Sequence, residues 1–372
     1  MTDPDLRIPF VDLKSQYQSI KPSIDAAIQN VIDETAFIRG EFVKKFEEDY
    51  ARSYGVRNVI SCGNGTDAIY IALKALGIGR GDEVITTALS WISTSEAITQ
   101  TGARVVFVDI QRDYYNIDPG KIEQEITDRT KAIIPVHLYG QPADMEPIMD
   151  IAEDYDLYVI EDCAQAHFAE YRGRKVGTFG IAGTFSFYPG KNLGAYGDAG
   201  AIVTNDDELS TRVRRFANHG ALEKHDHEIE GINSRMDGLQ AAILSAKLPH
   251  LETWNAKRLE HARLYGELLR GVSDVERPKI DPQARHVFHL YVIRSEKRDE
   301  LRAYLGSKGI ATGIHYPTAL PFLRAYAYLG HGPKDFSMAY DYQSKILSLP
   351  IYPEMTDEMI GHVADRIKEF LN

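Results

Sequence analysis

Thr184-Phe185-Ser186-Phe187-Tyr188-Pro189-Gly190-Lys191-Asn192-Leu193-Gly194-Ala195-Tyr196-Gly197-Asp198-Ala199-Gly200 sets a lone lysine between an aromatic run and a glycine-rich stretch. A lysine in an ordinary loop keeps its ammonium in water. Here the segment before it has the pattern of a strand, and the glycines after it let the backbone fold closely enough to shield it. Partial desolvation and a nearby cation would lower the pKa of Lys191 and make it a usable nucleophile and base.

Working upstream, Val159-Ile160-Glu161-Asp162-Cys163-Ala164-Gln165-Ala166-His167 places Asp162 at the carboxyl end of a buried-strand pattern, where α/β sheets bind ligands. A carboxylate there is costly unless a cation or a donor meets it, and a protonated pyridine nitrogen would do so. An aspartate that only caps the next helix fits the same residues. Further upstream, Ser61-Cys62-Gly63-Asn64-Gly65-Thr66-Asp67-Ala68 runs from a strand through a glycine-rich turn into a helix. The helix start offers free N–H groups to an anion, and Thr66 adds a hydroxyl. A plain turn with Asn64 or Thr66 as helix cap is the alternative. The segment lacks the lysine of a P-loop, which disfavours a nucleoside triphosphate.

The surrounding chain alternates short apolar strands with helical periods. Strands are expected at Val59–Ser61, Glu83–Ile85, Val105–Val108, Ala132–Val136 and Leu157–Ile160, with a helix over Asp144–Tyr155. Strands apolar on both faces belong in a parallel sheet covered by helices. The 372 residues exceed what one core usually serves. The expected architecture is therefore a doubly wound, mostly parallel α/β large domain over 1–248 and a smaller C-terminal α+β domain over 249–372. In the later region a strand is expected at Ala201–Val203, with helices at Asp207–Ala217 and from Asp237 to a break at Pro249. Strands at Val287–Ile293 and near Ile314, and helices at Arg298–Ser307 and from Asp357, complete the pattern. Glu41–Tyr50 reads as an acidic structural helix over a Phe42, Phe46 and Tyr50 stripe.

Composition narrows the class. A formal net charge of −12, with no long Lys/Arg run, disfavours a nucleic-acid partner. No apolar stretch has membrane-span length. The two cysteines, Cys62 and Cys163, read as small core residues of a reducing compartment. No basic-then-apolar leader is visible at the start, so a cytoplasmic protein is expected. His219, His225 and His227 lack the spacing and carboxylates of a zinc site and read as a polar loop, so no metal is expected.

Together the three segments, in order and spacing, resemble the DegT/StrS-type sugar-nucleotide aminotransferases, which have the fold type I, aspartate-aminotransferase-like architecture. The resemblance runs from Ile8-Pro9-Phe10-Val11-Asp12-Leu13 to the C-terminal helix. It implies pyridoxal 5'-phosphate as cofactor, held as a Schiff base by Lys191, which then shuttles a proton between substrate and cofactor. It implies that Asp162 pairs with the pyridinium nitrogen and keeps the ring an electron sink. Gln165 would hydrogen-bond the ring's phenolic oxygen, and Trp91 would stack on the ring. Gly65, Thr66 and Ser186 would hold the phosphate, with Asn233 reaching the phosphate of a neighbouring subunit in a homodimer with shared sites. Tyr188, Lys224, His315 and Tyr316 would border the sugar-nucleotide site. Gly190 stands where many members have Thr, and Phe168 where Gly is common.

The implied reaction moves an amino group from glutamate to a nucleoside-diphosphate keto sugar in two half-reactions. Gln165, together with Phe37-Ile38-Arg39-Gly40, resembles members acting at C-3, whereas those acting at C-4 tend to carry His at the position of Gln165. A sugar dehydratase of the same family would carry His in place of Lys191. A non-catalytic regulator or sensor is the other reading, and the intact Lys191, Asp162 and Gln165 set argues against it.

Overall fold

Apolar five-residue runs can bury both faces only inside a layered structure, and the chain arranges them that way. The computed structural model describes residues 7–371. Nine strands lie in the first two-thirds: β1 (Asn58–Cys62), β2 (Glu83–Thr87), β3 (Arg104–Val108), β4 (Thr130–Ile134), β5 (Tyr158–Asp162), β6 (Glu170–Tyr171), β7 (Arg174–Lys175), β8 (Ala182–Ser186) and β9 (Gly200–Thr204). Seven of them form the central sheet in the order β1-β9-β8-β5-β4-β2-β3. The pairs β3/β2, β2/β4, β4/β5 and β5/β8 are parallel, and β9 runs against both its neighbours β8 and β1. The sheet is mostly parallel, as expected. β6 and β7 form a small hairpin joined by β10 (Ala284–Arg285).

Helices cover the sheet where the apolar periods put them. Gly65–Ala75 packs on β8 and β9, with Ala68, Ile71, Ala72 and Ala75 buried. Glu41–Tyr54 lies against β1, and its Phe46 and Tyr50 meet Phe187 edge-on, with centroids 5.3 and 5.5 Å apart. The expected stripe is therefore the buried face, although the helix runs on to Tyr54 before Gly55 stops it in the left-handed region. Among the described residues no helix is long and apolar enough to cross a membrane.

The later region has its own apolar cluster. β11 (Tyr291–Arg294) pairs antiparallel with β12 (Ile346–Leu349). Around them pack Tyr265, Leu301, Leu305, Ile360 and Val363 from the helices Leu251–Leu268, Arg298–Ser307 and Asp357–Leu371. Two expected strands differ here. The strand placed at Val287–Ile293 begins only at Tyr291, because the amides of Val287 and Leu290 are drawn to Gly140 and Tyr139 carbonyls across the molecule. Near Ile314 there is one isolated bridge, Gly313 to Ser348, and the chain then turns to present His315 and Tyr316.

Candidate active site

Six of the seven central strands point the same way, so the loops after β1, β2, β5 and β8 open on one edge. This is where open α/β sheets bind ligands. A cavity of about 550 Å³ lies there. Its lining brings together Gly65, Thr66, Trp91, Asp162, Gln165, Ser186, Tyr188, Lys191, His315 and Tyr316, which are widely scattered along the chain.

One end of the cavity suits an anion. Asn64 caps the helix Gly65–Ala75 by accepting from the Asp67 amide at 2.8 Å. Among the described residues the amides of Gly65 and Thr66 meet no acceptor. The cap and two free amides suited to an anion are thus both present, on different atoms. The Thr66 hydroxyl lies 2.7 Å from Ser93 Oγ. Ser186 closes the cradle so tightly that a Cβ on Gly65 would stand 2.6 Å from Ser186 Cβ, so glycine is needed for the approach.

The middle holds the two ionisable groups. Asp162, at the end of β5, is buried; Oδ2 accepts from Thr94 Oγ1 at 2.8 Å and Oδ1 from the Ala164 amide at 3.1 Å. It does not cap a helix. Lys191 is half-buried, with its backbone amide bonded to Tyr188 O at 2.8 Å. Burial pulls its pKa down to about 8, against the opposing pull of the Asp162 carboxylate. The expected neighbouring cation is not needed: desolvation accounts for the shift.

The far wall is a hydrogen-bonded aromatic layer. Gln165 accepts from the Tyr139 amide at 2.7 Å and donates to Tyr316 Oη at 3.0 Å. His315 Nδ1 lies 2.8 Å from Ser348 Oγ, and its ring stacks on Phe10. Burial and then Lys191 push the His315 pKa down to about 4, so this imidazole is neutral near neutral pH. Trp91 is 56% exposed, tilted against Tyr316 at 5.5 Å between centroids, which excludes a role as core filler. Tyr188 stands at the exposed mouth.

Two expected site residues lie elsewhere. Lys224 and Asn233 are exposed, and neither lines this cavity. Asn233 sits on a segment whose next residue, Ser234, accepts from the Gly63 amide at 2.9 Å and donates to Asp67 at 2.6 Å, behind the anion cradle. Of the histidine loop, His227 Nδ1 meets the His219 carbonyl at 2.8 Å. The ligand-type cluster among the described residues is His137, Glu161 and Cys163. Its atoms are already engaged: His137 bonds Glu161 at 3.1 Å and accepts from Ala143, while Glu161 also accepts from the amides of Gly177, Phe179 and Gly180. It is a structural network under the sheet.

Sequence reasoning missed Thr94, Ser93, His289 and Arg258, all on the cavity wall. Ser93 and Thr94 follow directly on Trp91 and Ile92, so the Ser-Trp-Ile-Ser-Thr run held a usable signal. Nothing local marks Arg258 or His289.

Residues 18–368 match the DegT/DnrJ/EryC1/StrS aminotransferase family. The chain belongs to that family. Among similar proteins, a "pleiotropic regulatory protein" of Geobacillus stearothermophilus is 48% identical over 98% of this chain and 99% of its own. A dTDP-3-amino-3,4,6-trideoxy-alpha-D-glucose transaminase of Streptomyces venezuelae is 41% identical, over 98% of this chain and 96% of its own. The crystal structure of S. venezuelae DesV in complex with a ketimine intermediate superposes with a TM-score of 0.96 at 40% identity, covering 98% of this chain and 99% of that one. The aminotransferase therefore has the fold type I architecture expected of it, and pyridoxal phosphate is its cofactor.

The residues present fit that group. Free amides and a glycine-tight cradle suit its phosphate, a buried carboxylate suits a protonated ring nitrogen, and a desolvated lysine suits its aldehyde. One departure from common family residues gains an account. Phe168 adopts a left-handed φ of 63°, which favours glycine. The ring offsets this strain by packing on Tyr54 at 5.2 Å, beneath the Lys175 ammonium at 4.6 Å. Nothing in the structure explains Gly190 in place of Thr.

Proposed function

We propose that this aminotransferase transfers an amino group from glutamate to C-3 of a nucleoside-diphosphate keto sugar, working as a homodimer that shares its active sites. The observation that carries the reading is Lys191, with a pKa near 8, sharing one cavity with the buried Asp162. Pyridoxal phosphate, when bound, supplies an aldehyde to carry the amino group and a ring to withdraw electrons. The remaining work falls to the chain. Gly65 and Thr66 amides with the Ser186 hydroxyl bind the phosphate. Asp162, braced by Thr94, holds a proton at the ring nitrogen. Lys191 Nζ has an appreciable free-base fraction near neutral pH, so it can take a proton from the reacting carbon and return one to it. Gln165 is held between Tyr139 and Tyr316, leaving its amide group one further N–H for the ring's phenolic oxygen.

The neutral His315, with Tyr316, Trp91 and Tyr188, lines the way in and suits a sugar ring better than a second charge. Residues 1–248 then supply the cofactor floor, and residues 249–372 supply His289, His315 and Tyr316 as its cover. The S. venezuelae relative, named for a 3-amino sugar, supports C-3. The Geobacillus relative carries a regulatory name, but the intact Lys191, Asp162 and Gln165 favour turnover here.

The test is a panel of dTDP-, UDP- and GDP-linked 3-keto and 4-keto sugars incubated with glutamate, with the amine position read by NMR. A 3-amino product is expected. Amination of the 4-keto sugars alone would overturn the C-3 reading. Glutamate is tested by its conversion to 2-oxoglutarate.

A further inference from the structure

A ping-pong enzyme uses one cavity for two unlike substrates. An amino-acid donor carries a carboxylate beside its reacting carbon, and the C-3 ketone of a sugar ring has none beside it. A residue that binds the donor alone should therefore be a cation that the cofactor leaves unpaired.

Arg258 has those properties. It lies in the helix Leu251–Leu268, is 4% exposed, and lines the cavity beside His289, Leu290, Ile351 and Phe10. Its Nη1 donates to the carbonyls of Phe288 at 3.1 Å, His289 at 3.4 Å and Ile351 at 2.8 Å. Its Nε is buried without an acceptor, and Nη2 has no hydrogen-bond partner among the described residues. Among those residues no carboxylate forms an ion pair with it either. Glu354 is near enough to raise its pKa but makes no contact of that kind. Burial lowers the guanidinium pKa to about 10, so it stays charged at neutral pH while lacking an anion. A buried cation in this state is expensive, and a matching anion would relieve it.

The other cavity charges are accounted for. Asp162 and Lys191 serve the cofactor, the phosphate has its cradle at Gly65 and Thr66, and Asp198 sits at the rim. His289 is held neutral by burial, so it adds no charge beside Arg258. Phe10, Leu290 and Ile351 make apolar walls here, and in such low-dielectric surroundings an ion pair with the guanidinium is strengthened. With Nη1 engaged by carbonyls and Nε fully buried, Nη2 is the donor left for a carboxylate, in a charge-assisted hydrogen bond.

We propose that Arg258 is the carboxylate anchor of the amino donor, a subsite that the keto sugar leaves empty. This rests on the transaminase reading above, since it assigns the donor's place in that same cavity. The probe is glutarate, a five-carbon dicarboxylate without an amino group, titrated calorimetrically into the holoenzyme. The parent should bind glutarate and bind glutaramide far more weakly. R258M should weaken glutarate binding about tenfold to a hundredfold, the loss expected for a hydrogen bond to a charged group. Stopped-flow measurement of the two half-reactions should show the donor step of R258M slowed by a similar factor, and the keto-sugar step slowed less than about threefold.

Equal slowing of both steps, with glutarate affinity unchanged, would make Arg258 a brace for the Phe288–His289 and Ile351 backbone and overturn the proposal. Glutaramide binding the parent as tightly as glutarate would overturn it without any variant. R258K keeps a charge but has a single nitrogen to share between the carbonyls and a carboxylate; it should fall between parent and R258M, and a loss in R258K as large in the sugar step as in the donor step would count against the subsite. If glutarate bound as expected while no keto sugar accepted an amine, the sugar reading would fail and Arg258 would stand.

Discussion

The floor of the cavity and the loop between Asn218 and Asn233 are built on opposite plans. The floor is closed within one chain: Gly65 sits against Ser186, Asp162 is braced by Thr94, and Gln165 bridges Tyr139 to Tyr316. The loop is exposed through most of its length, with Leu222 and Ile229 at the surface and its lysine and asparagine away from their own chain's cavity. A residue of the floor has its place fixed by packing and by the sheet. A residue of the loop has no such frame, and in the proposed dimer it would reach the neighbouring subunit's site. That contrast is the physical case for a shared-site dimer, and it makes the two regions separable by mutation.

The largest effect should come from the floor. Lys191→Ala is expected to reduce turnover by about 10²–10⁴-fold or more, because it removes both the nucleophile and the proton carrier. The variant should still bind cofactor non-covalently and lose the yellow absorbance of the lysine-bound form. Substantial steady-state turnover would remove Lys191 from its role. Asp162→Asn should fold and lose more than about tenfold in kcat, roughly 1.4 kcal/mol of barrier. A smaller loss would mean that the ring nitrogen does not depend on this carboxylate.

A mixed dimer sharpens the comparison further. Asn233→Ala should weaken cofactor retention when every subunit carries it. Co-refolded with Lys191→Ala chains, it should regain about a quarter of parent activity, since half the dimers are mixed and each then has one complete site. No regain would place Asn233 outside the partner's site. Light scattering that found a stable, fully active monomer would defeat both the asparagine and the dimer.

A pH experiment probes the floor more gently. With the Lys191 pKa near 8 rather than the usual 10.5, capture of cofactor by apoprotein should speed up as pH rises through about 8 and then level off. A rise continuing towards 10 would mean that the lysine is solvated. The same burial has a stability consequence. His167, with a pKa near 3, is neutral in the fold, its Nε2 bonded to Ser186 O and its Nδ1 to Tyr50 Oη. Below about pH 6.5 the unfolded chain protonates first, so stability should fall by up to about 1.4 kcal/mol per pH unit for this one group, until the folded state also protonates.

How much of this was legible in the sequence follows the same division. The floor was readable because its parts are contiguous runs: strand, glycine turn, helix; strand, aspartate; strand, lysine, glycines. The helices Arg298–Ser307 and Asp357–Leu371 were readable from their periods. β12 was not foreseen, since Ile346-Leu347-Ser348-Leu349 is a short apolar run with no alternation to type it. The helix Leu13–Ser19 has few apolar residues to mark it, but Lys21–Asp33 was overlooked despite a signal: Ile24, Ile28 and Val31 recur at helical spacing, and Ile24 and Val31 are buried. Val287–Ile293 looked uniformly strand-like, but long-range partners claimed its first half. Thr94 lay within the Ser-Trp-Ile-Ser-Thr run, but its bond to Asp162, 68 residues on, is made only by the fold. Arg258 and His289 could not be found from spacing, because the fold brings them to the cavity from far along the chain.

The smallest expected effect lies on the loop, at Lys224. It is exposed and outside its own chain's cavity, so in the proposed dimer its contact with substrate would be made across the interface. On a chain of net charge −12 the diphosphate of a sugar nucleotide needs local positive donors, and the neutral His315 supplies hydrogen bonds without charge. A contact with the diphosphate lies away from the reacting carbon, so it should hold ground state and transition state equally. Lys224→Ala should accordingly raise KM for the sugar nucleotide by about threefold to tenfold, leaving kcat and the glutamate half-reaction nearly unchanged. Added salt should then weaken sugar-nucleotide binding less in the variant than in the parent, because one screened contact has gone. Slowing of both half-reactions would instead tie Lys224 to the cofactor or the fold. No change at all would leave it a surface lysine, and the loop's part in catalysis would rest on Asn233 alone.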